Sequence, residues 1–401
     1  MRFKRRIMIT PEGGYYLFVM SFVFTGAVLR EINLMLVLAG MMLGPLVYNA
    51  RTARRMTRRL AVRRRLPDSA TAGEPVTVEL ALSSKSRFSG IGLVDAIQRR
   101  GGEMPAVRAN ASPALAEAKA GQPTVVRYRL VPARRGEYRF GPLLVRSSFP
   151  FGLIRRTVEH ELPGTLLVFP RLGALTARFS ALVRDAAHDT SGARRQTYGA
   201  GDFYGLRDYR SGDSRRHIHW RTSARRGKLM VRQFERAVHH DVAVYVDLWQ
   251  PSEPSDEDRE HVERAVSFAA TLVQDLCRRD GCRVWLAIAA AAAAPLEGVA
   301  SAWLVREAMS RLACAEPSSR SFDRDRWTSS VAQAPRRAMP VLVTSRKQTP
   351  TVADLTRLAA APGQRSSAER LVCVSTRDAA FGEVFRLDAP TPLSSSFAQE
   401  L

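Results

Sequence analysis

The sequence predicts a multidomain α+β protein: an N-terminal transmembrane helical hairpin, a small β-sandwich, and then an α/β domain built on a parallel sheet. Three observations predict it. Two apolar runs near the N-terminus are bracketed by arginines, the segment after them alternates apolar and polar residues between Gly and Pro turns, and the last part alternates apolar strands with helical patterns. At 401 residues the chain is long enough for several domains and at least one sizeable core.

Residues 1–65 are read as the hairpin with its basic flanks. The runs Tyr15–Leu29 and Ile32–Tyr48 are separated only by Arg30 and Glu31. Arg2, Lys4, Arg5 and Arg6 precede the first, and Arg51, Arg54, Arg55, Arg58, Arg59, Arg63, Arg64 and Arg65 follow the second. Each run is a little short of the ~20 residues of a spanning helix, and Gly13, Gly14 and the flanking residues extend them. A cleaved signal peptide would have one apolar core and a small-residue cleavage site, which a second run followed by arginines does not match. Buried helices of a soluble core would not carry that arginine run either. The bias of positive charge toward the cytoplasm places both flanks there and only the Arg30–Asn33 turn outside, so the bulk of the chain is expected to be cytoplasmic. The arginines at 51–65 are expected to meet anionic headgroups, each contributing roughly 1 kcal/mol near the surface.

The formal charge of +23 comes from 61 Lys plus Arg against 38 Asp plus Glu, and it is unevenly placed. Residues 1–65 hold 13 basic and 2 acidic side chains, and residues 171–236 hold 15 and 6. Such clusters fit nucleic acid, an anionic membrane or acidic partners. Cys277, Cys282, Cys314 and Cys373 match no zinc or haem spacing, and they read as ordinary apolar residues of a reducing compartment.

Residues 66–170 are read as the β-sandwich. Val76–Leu82, Thr124–Leu130 and Leu143–Val145 have strand character, with turns at Ala72–Pro75, Arg135–Gly136 and Pro150–Gly152. The Ala-, Gly- and Pro-rich insert Gly101–Gln122 is expected to be a surface loop. Residues 171–236 form a basic connecting region whose end carries a dense motif, GLRDYRSGDSRRHIHW at Gly205–Trp220. The following Leu229, Val231 and Phe234 alternate with charged residues as in a half-buried strand.

Residues 237–401 are read as the α/β domain. Strands are expected at Asp241–Asp247, Cys282–Ala289, Pro340–Thr344 and Leu371–Ser375, and helices at Glu257–Arg279, Ala302–Ala313 and Val352–Ala360. The six-alanine run at 289–294 reads as a strand end entering a loop.

In an open parallel sheet, ligands bind beyond the carboxyl ends of the strands, which directs attention to Asp247. Its setting resembles the von Willebrand factor A fold, whose metal site begins with Asp-x-Ser-x-Ser. Here the sequence is Asp247-Leu248-Trp249-Gln250-Pro251, and the family's later Thr-Asp-Gly turn is matched by Thr344-Ser345-Arg346. A hard divalent cation needs several oxygen ligands, so Asp247 alone makes at best a degenerate metal site, and no metal or other cofactor is expected.

The motif admits a catalytic reading through Asp202, Asp208 and Asp213, as in a membrane-tethered metal-dependent hydrolase or nuclease. No phosphate-binding Gly-rich loop or nucleophile elbow accompanies them, so no catalytic residue is assigned. The favoured reading is a buried network in which Asp213 caps a turn and Arg215, Arg216 and Arg221 pair with carboxylates or carbonyls. His217 and His219 would share one face of a strand, with His239 and His240 nearby, but without a recognised ligand spacing they read as structural. Trp220 reads as a core anchor. Aromatic residues are not interleaved with the arginines as single-strand binders require, so no specific nucleic acid is expected.

The stretch GLRDYRSGDSRRHIHWRTSARRGKL resembles the signature of the family known as domain of unknown function 58, and so do RRGEYRFGPLLVRSSFPFGL at 134–153 and LVFPRL at 167–172. The matching signature positions are Tyr209, Gly212, Asp213, Arg216, Ile218, Trp220, Ala224 and Arg225. The resemblance implies a membrane-anchored, non-enzymatic adaptor carrying a degenerate von Willebrand A-like domain. It also implies a MoxR-type AAA+ ATPase as partner in protein assembly or maturation.

Overall fold

The computed structural model describes residues 5–58, 60–84, 90–100, 107–115, 122–181, 183, 202–235, 241–278, 282–289, 294–320, 333–335, 338–347 and 371–387. It is a mixed α+β protein with two apolar N-terminal helices and several sheets, arranged as two compact units, Met1–Phe169 and Pro170–Asp388. The expected helix Val352–Ala360 and the pair His239 and His240 lie outside the described residues.

The first unit begins with strand β1 (Arg5–Ile9), helix α1 (Pro11–Leu29) and helix α2 (Asn33–Arg58). Both helices are long and apolar enough to cross a membrane, and they leave most of their surface uncovered. The strands that follow among the described residues are β2 (Leu60–Arg65), β3 (Ser69–Thr71), β4 (Val76–Ser84), β5 (Ile91–Arg99), β6 (Val107–Leu115), β7 (Thr124–Leu130), β8 (Gly136–Ser147), β9 (Ile154–His160) and β10 (Gly164–Phe169). The long β8 organises the larger sheet. β5 runs along one edge of it, while β10 and β9 share the other edge, pairing with its first and second halves. The smaller sheet is β2-β4-β7. Residues alternating along β4 (Val78, Leu80, Leu82) and along β8 (Tyr138, Phe140, Leu143, Val145) enter one shared core, the period-two pattern expected when each sheet buries one face.

Three assignments from sequence change. The insert expected as a loop contains β6, which pairs antiparallel with β5, because a hairpin partner tolerates the Ala, Asn and Ser that lower strand propensity. The basic flanks of the hairpin are also strands: β1 adds to β9, and β2 adds to β4. Alternation along β2 buries Leu60 and Val62 and carries Arg64 inward, where its side chain is 3% exposed against Asp95 at 0%. Tyr128 Oη donates to Asp95 Oδ2 at 2.6 Å, Arg64 Nη2 donates to the Gly141 carbonyl at 3.2 Å, and the guanidinium lies 5.1 Å from the Phe140 ring centroid. Burial nevertheless raises the Asp95 pKa, the stabilising contacts offsetting only part of the desolvation. Arg64 is therefore removed from any headgroup-binding surface, while Arg51, Arg54, Arg55, Arg63 and Arg65 are exposed.

The helices are fastened to this unit through the turn before β9. Thr10 caps α1, accepting from Gly13 N at 3.0 Å while its own N–H donates to the Leu153 carbonyl at 3.1 Å. Asn49, fully buried on α2, donates to the Ile154 carbonyl at 3.1 Å and accepts from Phe151 N at 3.1 Å and Leu153 N at 3.3 Å. Gly13 is required here, since a Cβ would sit 2.0 Å from the Leu153 carbonyl oxygen.

In the second unit, β11 (Ala174–Leu175) is followed by β12 (Asp202–Asp208), helix α3 (Trp220–Arg226) and β13 (Met230–Glu235). Next come β14 (Val242–Asp247), α4 (Asp256–Cys277), β15 (Arg283–Ile288), β16 (Leu296–Val299), α5 (Ala302–Ala313), β17 (Met339–Thr344), β18 (Val372–Ser375), α6 (Phe381–Val384) and β19 (Phe385–Arg386). The five-stranded sheet has the order β16-β15-β14-β17-β18; β14 pairs parallel with β15 and β17, β17 pairs parallel with β18, and β16 is an antiparallel edge. Every residue of β14 is buried, which accounts for its unbroken apolar run. Ala243 and Tyr245 pack with Trp285 and Leu342. Under α4, Phe268 meets Phe179, Phe381 and Phe385 edge-on at 5.2–6.0 Å. Ser255 and Asp258 form a reciprocal cap at the start of α4.

Candidate functional site

Two places in the second unit carry the residues singled out by sequence. The first is the switch point of the five-stranded sheet. Because β15 lies on one side of β14 and β17 on the other, the crevice opens beyond the carboxyl ends of β14 and β17, where Asp247 and Thr344–Arg346 lie.

Asp247 is 5% exposed, and both of its oxygens are engaged by one guanidinium: Arg346 Nε donates to Oδ2 at 2.5 Å and Nη2 to Oδ1 at 3.2 Å. Thr344 Oγ1 adds a donor to Oδ2 at 3.3 Å. Ser345 does not face the carboxylate, because its hydroxyl accepts from Trp249 N and donates to the Trp249 carbonyl, both at 2.8 Å. A second pair lies alongside. Arg377 donates to Asp258 Oδ1 at 2.6 Å and to the Ser345 carbonyl at 2.7 Å. The guanidinium carbons of Arg346 and Arg377 each lie 6.0 Å from the Trp249 ring centroid.

Chemically, this is a closed set of bidentate and charge-assisted bonds rather than a cation cage. A divalent ion needs oxygens converging on it, and here the Asp247 carboxylate is held by a fixed positive charge, as is that of Asp258 beside it. The residues therefore do not fit a metal at Asp247. Among the described residues, no group of three or more His, Cys, Asp or Glu could hold one elsewhere. Hydrogen bonds from Arg377 and from the Ser255 hydroxyl and backbone N–H hold the Asp258 carboxyl down at about 2. Sequence reasoning missed Arg377 and Asp258. Their signal was positional, since Arg346 and Arg377 each lie two residues beyond the end of a parallel strand.

The second place is the motif. β12 and β13 form an antiparallel hairpin, with a 3₁₀ turn (Arg215–His217) and α3 between them. Asp213 is 7% exposed and accepts both Nη atoms of Arg207 at 2.7 Å and Arg210 N at 2.9 Å. Gly212 precedes it at φ +103°, a conformation that favours glycine. Ile218 is buried and bridges to Val231, and the Ser223 hydroxyl accepts from Met230 N at 2.8 Å, so the inner side of the turn is tied to β13. Tyr209 is half-buried, and its N–H donates to the Leu229 carbonyl at 2.8 Å.

The network expected around Asp213 exists, with a different cation: Arg207 is the partner, while Arg215, Arg216 and Arg221 are exposed. Trp220 is no core anchor. It is 65% exposed, because it opens a helix of only seven residues whose buried side is Ser223. His217 and His219 do not share a strand face. His217 ends the 3₁₀ turn, and His219 caps α3, its Nδ1 accepting from Thr222 N at 3.2 Å. Ala224 and Arg225 are exposed beside Trp220 on α3. Asp208 is exposed at one end of β12 and Asp202 begins the other, about 20 Å away at strand rise, so the three aspartates do not converge.

The "Uncharacterized protein YeaD" of Bacillus subtilis (strain 168) is 29% identical over 155 residues, covering 38% of this chain and 36% of that protein, so the chain spans about a third of its curated relative. Likeness to solved structures is partial. The C-terminal domain of wzt aligns over 27% of this chain and 70% of its own, with 12% identity and a TM-score of 0.21. The CARDB domain of PF1109 from Pyrococcus furiosus aligns over 27% and 93%, with 11% identity and a TM-score of 0.18. The motif and the five-stranded sheet both fall within residues 205–388, which match the family described as "Protein of unknown function DUF58".

Proposed function

We propose that this is a membrane-anchored, non-enzymatic adaptor whose cytoplasmic part docks another protein through the signature turn. The observation that supports it best is the division of the signature into two sides. Asp213, Ile218 and Ser223 are buried and hold the turn, whereas Arg216, Trp220, Ala224 and Arg225 face solvent. An exposed tryptophan among arginines has the composition of a binding hot spot.

The hairpin α1–α2 serves as the anchor in an inner membrane, with its short Arg30–Asn33 turn outside. The sheet beyond β14 is read as a von Willebrand A-like domain in which Arg346 takes the place of a cation beside Asp247. The resemblance of the signature favours a MoxR-type AAA+ ATPase as the partner and assembly or maturation of proteins as the process. A hydrolase using Asp202, Asp208 and Asp213 finds no support in the geometry.

Affinity purification from native membranes tests the proposal. It expects one protein at stoichiometric yield with the full-length chain, reduced at least about tenfold by Trp220→Ala, the loss typical of a hot-spot residue. Purification without any such protein would refute it.

A further inference from the structure

We infer that the foot of the hairpin is itself a lipid-contact surface: strand β1 and the Phe149–Leu153 turn lie in the headgroup region of an anionic bilayer. This rests on the reading of α1 and α2 as spanning helices. Ile7, Met8 and Ile9 are 67%, 63% and 57% exposed, although they are consecutive residues of a strand, so apolar side chains stand on both of its faces. Among the described residues, β1 is an edge strand paired with β9. Such edges are normally blunted by charge, bulges or cover, because in water they recruit other chains. Phe149 and Phe151 add 38% and 53% exposed rings from the turn.

This apolar surface is continuous with the helices. The Phe151 ring lies 6.1 Å from that of Tyr48 on α2, and Thr10 ties the end of β1 and the start of α1 to the Leu153 carbonyl. Length supplies an independent argument. The uninterrupted apolar stretch of α1, Tyr15–Leu29, rises only about 22 Å, against about 30 Å of bilayer hydrocarbon. A bilayer centred on the hairpin therefore reaches past Gly14 toward the foot. At strand rise, Ile7 lies about 10 Å from Thr10, comparable with the depth to which interfacial segments sink.

Charge identifies the lipid. Arg6 and Arg155 are exposed on β1 and on its pairing strand, Arg155 standing opposite Met8 in register. Arg51, Arg54 and Arg55 are exposed on α2 just past Asn49. A ring of arginines around exposed Phe, Ile and Met is the composition of a surface that inserts its apolar side chains among acidic headgroups.

The test uses the full-length chain reconstituted into phosphatidylglycerol–phosphatidylethanolamine vesicles. Met8→Trp, Phe151→Trp, Phe22→Trp and Val125→Trp are compared with the parent, which carries five native tryptophans. The emission added by each substitution is read with lipids brominated near the headgroup and, for Phe22→Trp, deep in the acyl chain. The expected result is about twofold or greater quenching at positions 8 and 151, as for interfacial residues, and none at Val125, which is exposed on β7. Quenching at 22 without quenching at 8 and 151 would overturn this inference and leave the spanning hairpin standing. Absence of quenching at 22 would remove both. Unquenched emission at 8 together with Met8→Cys cross-links between copies would assign the edge strand to a second copy and overturn the lipid assignment.

Discussion

Replacing Arg346 with Met removes the charge that closes the crevice beside Asp247 while keeping an unbranched apolar stem. In the native protein the two side chains are 12% and 7% exposed, so this pair is desolvated on both sides. Removing one member leaves Asp247 with the Thr344 hydroxyl at 3.3 Å as its remaining described side-chain donor. Breaking a buried pair from one side costs about 3–5 kcal/mol. At about 2–4 °C per kcal/mol for a unit of this size, the Tm of the second unit should fall by roughly 6–20 °C in a calorimetric scan of the detergent-solubilised chain. The double variant Asp247→Asn with Arg346→Met should recover about half of that loss or more, since no uncompensated charge remains. A cation-dependent reading predicts something different: a native Tm lowered by chelator, and an Arg346→Met variant restored by millimolar Mg²⁺ or Ca²⁺. An Arg346→Met variant as stable as the parent, or a native Tm that falls with chelator, would refute the guanidinium's role.

Further outcomes follow from the same contacts. Asp213→Asn, which removes the charge accepting two Arg207 bonds, should destabilise the signature turn by about 2–3 kcal/mol, read as faster amide exchange in β13, whereas Trp220→Ala should change stability by no more than about 0.5 kcal/mol. The Asp258 carboxyl titrates at about 2 when folded, below its unfolded range near 4. The sign is that of a depressed acid: its contribution is fully present above about pH 4 and is lost as pH falls through about 2, and Arg377→Gln should flatten that part of the acid-unfolding curve. Gly13→Ala places a Cβ 2.0 Å from the Leu153 carbonyl oxygen. The variant should detach the start of α1 from the turn, seen as protease cleavage near residue 10 that the parent resists.

Much of this fold was legible where local pattern and tertiary burial agree. β7 and α5 lie at the residues expected, the first from strict alternation and the second from helical periodicity, with Ser301 supplying the cap. β1, β2 and β6 were not, because arginines in the first two and alanines in the third hide a period that only the neighbouring strand reveals. The motif shows the same boundary. Asp213 after Gly212 marks a capped turn in sequence, but its cation depends on hairpin register, which brings Arg207 rather than Arg215 or Arg216 to it. Trp220 looked like an anchor because tryptophan usually is one. Its exposure follows from the brevity of α3, which no periodicity could reveal. At the sheet, Asp247 was singled out by its place at the end of an apolar strand, and the structure puts it in an ion pair with Arg346. The guanidinium that closes the crevice comes from a strand about a hundred residues later, and only the parallel pairing of β14 with β17 brings it there.

The most direct test of the docking surface is site-specific photocrosslinking in intact membranes, with the reactive group placed at position 220 and, as a control, at Trp303, which is 64% exposed on α5. The adaptor account predicts one dominant protein adduct from position 220, abolished by Asp213→Asn and absent from position 303. The same adducts from both positions, or none from position 220, would contradict it.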